Sequence, residues 1–221
     1  MIDTRWADVD RYLGDCLIAP DDALDHALAA SAAAGLPPIA VTPTGGKLLH
    51  ILARLANARR ILEVGTLGGY STLWLARAVA PGGVVTTLEL DPKHAELAAA
   101  NVAHAGLSAV VDIRLGHAVE TLATLAAEGG APYDMIFIDA DKASIPEYFT
   151  WALRLSRPGT LILVDNVIRN GAVIDPASTD PAVIGVRRFN EMLAVEPRVT
   201  ATTIQTVGAK GYDGMTFAIV N

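Results

Sequence analysis

The chain has 221 residues, enough for one generous domain and too few for two ordinary ones with separate cores. A hydrophobic fraction of 52% excludes a disordered scaffold, and a net charge of −7 disfavours a nucleic-acid partner, which calls for a basic footprint. A small molecule suits it better.

A single cysteine, Cys16, leaves no internal disulfide and no thiolate metal site, as suits a reducing compartment. The opening "MIDTRWADVDRY" is charged and partly acidic, unlike a signal or transit peptide. The uncharged stretch 27–46 is broken by Gly35, Pro37, Pro38 and Pro43, so no membrane span is expected. The expectation is a soluble, cytoplasmic protein.

The first 20 residues fit no sheet pattern. Together, 1–35 read as an N-terminal helical segment that could cover a pocket or meet a second subunit. Helices are expected around 21–35 and 44–57. Then apolar runs alternate with helical patterns. "RILEV" (60–64), "VVTTLEL" (84–90), "VVDIR" (110–114), "MIFID" (135–139) and "TLILVD" (160–165) read as strands. "YSTLWLARAVA", "PKHAELAAANVAHAG", "AVETLATLAAE" and "IPEYFTWALRLS" between them read as helices. That alternation means βαβ units and a parallel sheet. After "RRFNEMLAVEP", the pieces "VTATTIQT" and "MTFAIV" have no helix between them and should pair as an antiparallel hairpin. The expected architecture is one α/β domain, residues 1–221. Its sheet is doubly wound, mostly parallel and seven-stranded, with a C-terminal antiparallel hairpin.

Ligands of such sheets sit beyond the carboxyl ends of the strands. Those ends carry Glu63 with Gly65, Glu89, Gly116 with Ala118, Asp139 with Asp141 and Lys142, and Asp165 with Asn166. The loop "EVGTLGGYST" (63–72) is glycine-rich without being GxGxxG. Glu63 just before its turn would repel a pyrophosphate and suit a ligand with cationic groups. Taken alone, the glycines read equally well as an ordinary tight turn. Glu89 is placed to accept both hydroxyls of a ribose.

Asp139, Asp165 and Asn166 would converge if the fourth and fifth strands are neighbours. Two carboxylates and an amide oxygen suit a hard cation such as Mg²⁺, Mn²⁺ or Ca²⁺. The competing reading, a pair of helix caps, leaves the acids clustered without compensation. Lys142 beside such a cation suits a general base. Otherwise it is a solvated lysine at a helix start.

Together these segments resemble the cation-dependent O-methyltransferases, the group of the caffeoyl-CoA and catechol enzymes and their bacterial relatives. The likeness runs from "AVTPTGGKLL" to the C-terminus and includes "ILEVGTLGGYST", "IFIDADK", "ILVDNVIRNGAV" and "GYDGMTFAIV". The resemblance implies a Rossmann-like S-adenosylmethionine fold. It implies contacts to that cofactor from Val41, Glu63, Gly65, Thr66, Ser71, Glu89, Ala118 and Asp141. Glu63 and Asp141 would face the methionine end, Glu89 the ribose and Ala118 the adenine. Asp139, Asp165 and Asn166 would hold the metal, Mg²⁺ foremost, and Lys142 would be the catalytic base. Asn170, with Asp139, would lie against a phenolic acceptor with vicinal hydroxyls. Arg169 stands where the plant enzymes have an aromatic residue, which points to the bacterial branch. A homodimer is also implied.

The histidines at 26, 50, 94 and 104 read as surface or core positions, and His117 as a loop residue without a role, with contact to the adenine as its alternative. Trp6 and Tyr12 are the aromatics with the least evident packing role. Two rival readings remain at this point: an NAD(P)-dependent oxidoreductase on a similar sheet, and a non-catalytic S-adenosylmethionine-binding protein.

Overall fold

A computed structural model describes residues 4–221, so the first three residues of the expected N-terminal segment lie outside the described residues. Three helices come first: α1 (Thr4–Leu17), α2 (Asp22–Ala33) and α3 (Pro43–Leu55). The alternating part follows with β1 (Arg60–Val64), α4 (Tyr70–Ala76), β2 (Val84–Glu89), α5 (Pro92–His104) and β3 (Val111–Leu115). It continues through α6 (Ala118–Ala127), β4 (Met135–Ile138), α7 (Ile145–Arg154) and β5 (Leu161–Asp165). A short 3₁₀ turn (Ala172–Ile174), α8 (Pro181–Ala194), β6 (Val199–Gly208) and β7 (Gly211–Val220) complete the chain.

The sheet runs β3-β2-β1-β4-β5-β7-β6, seven strands as expected. β1 to β5 are parallel, and β7 enters antiparallel between β5 and β6. The strand order reverses between β1 and β4, and the crevice there is where a ligand sits in such folds. β4 and β5 are neighbours in register, which brings the segments after Ile138 and Val164 side by side.

The period of two explains the layers. In β4, Ile136 and Ile138 pack with Phe149 of α7 and Phe189 of α8 on one face. Met135 and Phe137 pack with Leu49 of α3 and Leu75 of α4 on the other. The Phe149 and Phe189 rings meet edge to face with centroids 5.2 Å apart. All these side chains are fully buried, each contributing about 1.5–3 kcal/mol. A third cluster seats α2 on α4 and α5 through Leu24, Leu73 and Val102.

Local signals set the helix starts. Thr42, Asp91 and Asp180 cap α3, α5 and α8 with their side-chain oxygens, each followed by proline at the first helical position. That signal opens α8, of which the sequence pattern had exposed only the piece 187–197. Helix α1 gives the first part of the expected helical segment 1–35 its bounds. It buries no residue fully and lies against β6 and α3 at the sheet's edge. β6 and β7 are each longer than the expected pieces and turn through Ala209 and Lys210.

Candidate active site

Along the carboxyl ends of β1, β2, β3 and β4 opens a cavity of about 820 Å³, a size ordinary for small-molecule sites. Its floor begins at Gly65, where φ is +104° and a Cβ would stand 2.4 Å from the Asp139 carbonyl oxygen. Only glycine lets the loops after β1 and β4 come so close. A second contact of this kind lies behind the site. A Cβ at Gly185 would meet the Lys142 carbonyl at 2.2 Å, so α8 packs directly on the loop that carries the lysine.

Glu89, at the end of β2, faces the cavity, and the backbone orients its carboxylate. Oε2 accepts from the N–H groups of Thr66 (3.3 Å) and Leu67 (2.8 Å), and Oε1 from those of Leu90 (2.8 Å) and Asp91 (2.9 Å). Val41, Gly65, Thr66, Ser71, Ala118 and Asp141 line the same cavity. Burial alone would raise the Asp141 carboxyl. Hydrogen bonds from the Tyr148 hydroxyl and from Ser144, with Lys142 nearby, hold it below its ordinary value instead.

Glu63 is placed differently. It is fully buried beneath the loop and is not a lining residue. Its Oε2 accepts from the hydroxyls of Thr72 (2.5 Å) and Thr87 (2.7 Å), tying α4 and β2 to β1. Its Oε1 is buried without a hydrogen-bond partner. Burial pushes this carboxyl up to about 7, against the Ser71, Thr72 and Thr87 hydroxyls that favour the charged form, and Asp139 raises it further. A buried acid with an unpartnered oxygen next to this cavity suits a cationic ligand.

At the far end, Asp139, Lys142 and Asn166 line the cavity. Lys142 Nζ donates to Asp139 Oδ1 at 2.6 Å. Asp165 lies just behind the lining, its carboxyl raised by burial and then by the charge of Asp139. Asn166 takes a left-handed φ of +59° directly after β5, and its N–H donates to Asp165 Oδ1. Asn170 is exposed and is not a lining residue. Among the described residues no three His, Cys, Asp or Glu side chains gather to hold a metal. The set here is two acids and an amide. Two carboxylates that repel each other beside an amide oxygen form an oxygen-only donor set, and a hard dication fits it.

The pattern missed several contributors. His94 and His117 both line the cavity, and His94 Nδ1 stands 3.7 Å from Glu89 Oε1. Tyr70 and Tyr148 line it as well. Helix α5 follows β2 immediately, so an early position on it was the available signal for His94. Lys210, at the β6–β7 turn, donates to the carbonyls of Ile39 (2.7 Å) and Ala40 (2.5 Å), which form part of the wall. Trp6 and Tyr12 are not lining residues, and Tyr12 is exposed on α1.

A doubly wound sheet whose strand ends carry a backbone-anchored acid, a tight glycine turn and an oxygen cluster after β4 and β5 frames the site of a small-molecule enzyme. Comparison with known proteins makes this specific. A family model described as O-methyltransferase matches residues 21–219. A catechol O-methyltransferase of Niastella koreensis is 57% identical over 212 residues, covering 96% of each chain. The solved O-methyltransferase from Bacillus cereus, in complex with SAH, superposes with a TM-score of 0.98 at 53% identity, covering 99% of each chain. The O-methyltransferase TomG from Streptomyces achromogenes, involved in tomaymycin synthesis and solved with SAM, gives a TM-score of 0.96 at 54% identity. That match covers 100% of this chain and 99% of that one.

The chain belongs to the O-methyltransferase family and is an S-adenosylmethionine-dependent enzyme. The oxidoreductase and the non-catalytic binder fall away. No helix among the described residues is long and apolar enough to cross a membrane.

Proposed function

We propose that the enzyme methylates one hydroxyl of a catechol-like acceptor with the help of a divalent cation, Mg²⁺ foremost and Mn²⁺ or Ca²⁺ otherwise. The observation that carries this reading is the convergence of Asp139, Asp165, Asn166 and Lys142 at the ends of adjacent strands, at one end of the cofactor cavity. The catechol O-methyltransferase name of the Niastella koreensis relative supports the acceptor class.

When bound, S-adenosylmethionine supplies an electrophilic methyl group, and a dication supplies Lewis acidity and a template for two vicinal oxygens. The protein's residues do the rest. Asp139, Asp165 and Asn166 offer the metal's oxygen donors, and Asp139 also borders the acceptor. Lys142 Nζ, as the neutral amine, takes the proton of the attacking hydroxyl, because a phenol with a pKa of about 10 is a poor nucleophile at neutral pH. Glu89, held rigid by four N–H groups, receives the ribose, and Ala118 leaves room for the adenine. Asp141 faces the cationic methionine end, with Glu63 buried beneath the loop behind it, while Val41, Gly65, Thr66 and Ser71 shape the wall. Asn170 serves the acceptor from the rim. Much of the acceleration comes from holding oxygen and methyl at near-attack distance, with the walls keeping water out.

The test is the rate of catechol methylation with Mg²⁺ and with EDTA. EDTA should abolish it. An unchanged rate would make the acid cluster structural and end the metal reading.

We also infer a homodimer. Val9, Tyr12, Leu13 and Leu17 on α1, with Ile204 and Val207 on the edge strand β6, are exposed on adjoining elements, an apolar face suited to a second copy. A monomer mass by light scattering at micromolar concentration would contradict this.

A further inference from the structure

Two lysine or arginine side chains line the cavity, and they differ in their pairing. Lys142 has Asp139 at 2.6 Å. Arg169 has no such partner. Its Nε is buried without a hydrogen-bond partner, and its Nη1 comes only to 4.0 Å from Asp213 Oδ2, too far for a hydrogen bond. The other oxygen of Asp213 is engaged with the backbone. Its Oδ1 accepts from the N–H groups of Ile168 (2.9 Å), Arg169 (3.0 Å) and Gly214 (2.9 Å), so its main work is to fasten the loop after β5 onto β7.

That loop is held in an unfavourable shape. Arg169 and Asn170 have φ of +54° and +55°, followed by Gly171 at +85°. Side chains rarely adopt this backbone, and when they do the surroundings impose it, often at a ligand clamp. Here the Asp213 bonds impose it, and the result is a guanidinium on the cavity wall with donors to spare. A guanidinium is a planar fork of N–H groups that matches a carboxylate in two parallel bonds. Leaving a buried donor of this kind unmet is costly.

We propose that Arg169 is a specificity-determining residue that binds a carboxylate carried by the aromatic acceptor. The proposal rests on the catechol reading above and narrows it to anionic catechols. Asn166 and Arg169 are three residues apart, so their Cα atoms are at most about 11 Å from each other. A ring with its hydroxyls at Asn166 and Lys142 bridges that span with a carboxylate on its far side. Nη1 lies nearest Asp213, and the exposed part of the guanidinium is left on the cavity wall for the acceptor.

The experiment is calorimetric titration in the presence of Mg²⁺ and SAH, comparing 3,4-dihydroxybenzoate with its uncharged isostere 3,4-dihydroxybenzamide. The wild-type protein should bind the acid roughly ten- to a hundredfold more tightly. Arg169→Met should bring the two affinities together, and Arg169→Lys should restore only part of the gap. In initial rates the same preference should appear in KM. Equal wild-type affinities, or a preference that survives Arg169→Met, would overturn the proposal. The wild-type comparison stands whether or not the variants fold, and amide binding by each variant reports its folding. If catechol is methylated but the acid has no advantage, this proposal alone falls. If no catechol is methylated or bound, the catechol reading falls and takes this one with it.

Discussion

The ammonium of Lys142 and the carboxylate of Asp139 occupy each other, 2.6 Å apart and three residues along the turn that ends β4. The proposed base and a proposed metal donor thus begin as an ion pair. On the reading proposed above, a cation held by Asp139 would replace this contact and leave Nζ, once it has given up its own proton, free to act as the base. The pair therefore ties the two halves of the chemistry together.

Lys142→Ala should lower turnover by roughly 10²–10⁴-fold, the usual worth of a positioned acid–base group. The loss should shrink at high pH, where the acceptor ionises unaided, and metal affinity should not weaken. Rates against pH at saturating S-adenosylmethionine, with a metal titration alongside, check all three outcomes.

Glu89→Gln should weaken S-adenosylmethionine binding at least tenfold. The four N–H groups now bound to the carboxylate would meet an amide, half of which is itself a donor. Calorimetry reads the affinity directly. An unchanged value would remove Glu89 from the cofactor's site.

Gly65→Ala should destabilise the fold by roughly 2–4 kcal/mol, the sum of a left-handed backbone cost and an overpacked contact. The new methyl would press on the Asp139 carbonyl, so cofactor affinity should fall with stability. Urea unfolding measures the first effect. Alanine at the exposed Gly129, where φ is +67° but no atom lies within 4 Å, isolates the backbone part.

Asp21 caps α2 and pairs with Arg77 at the end of α4, with bonds of 2.5 and 2.9 Å. The Arg77 hydrogen bond is the largest influence on the carboxyl and lowers it from its ordinary 3.8. A depressed acid contributes stability that is fully present above its unfolded value and lost as pH falls through the folded one. Asp21→Asn keeps the cap and removes the charge. It should therefore be less stable than wild type by about 0.5–1 kcal/mol at neutral pH, a modest figure because the pair is partly exposed. The gap should close below pH 3.8. Melting curves of both proteins across that range decide it.

The central strands were legible because they are buried on both faces, so their apolar runs stand out against amphipathic helices. The acids at their ends followed, since parallel strands bring every carboxyl end to one edge. Side-chain direction was harder to read. Glu63 sits at a strand end, yet it shares the parity of Ile61, which turns it under α4 rather than toward the ligand. That alternation was available in "RILEV" and was not used. The open fork of Arg169 depends on Asp213, 44 residues further along the chain, while Tyr148 reaches Asp141 across the start of α7. Local pattern carries no trace of them. Helix α1 falls inside the expected helical segment 1–35, but its bounds were not legible because it buries nothing completely.

The reversal of β7 has a consequence for how such an enzyme can change its tastes. Because β7 runs against its neighbours, its beginning and the turn before it lie where the parallel strands end. Lys210 and Asp213 therefore stand over the same rim as Asn166, although they are among the last residues of the chain. The parallel half, β1 to β4, carries most of the cofactor wall. The hairpin acts on the rim from outside that half, Lys210 through the carbonyls of Ile39 and Ala40 and Asp213 through the N–H groups of Ile168 and Arg169. On the reading proposed above, substitutions at Asp213 should act on acceptor choice through the loop it fastens, whereas Lys210 also touches the wall beside Val41.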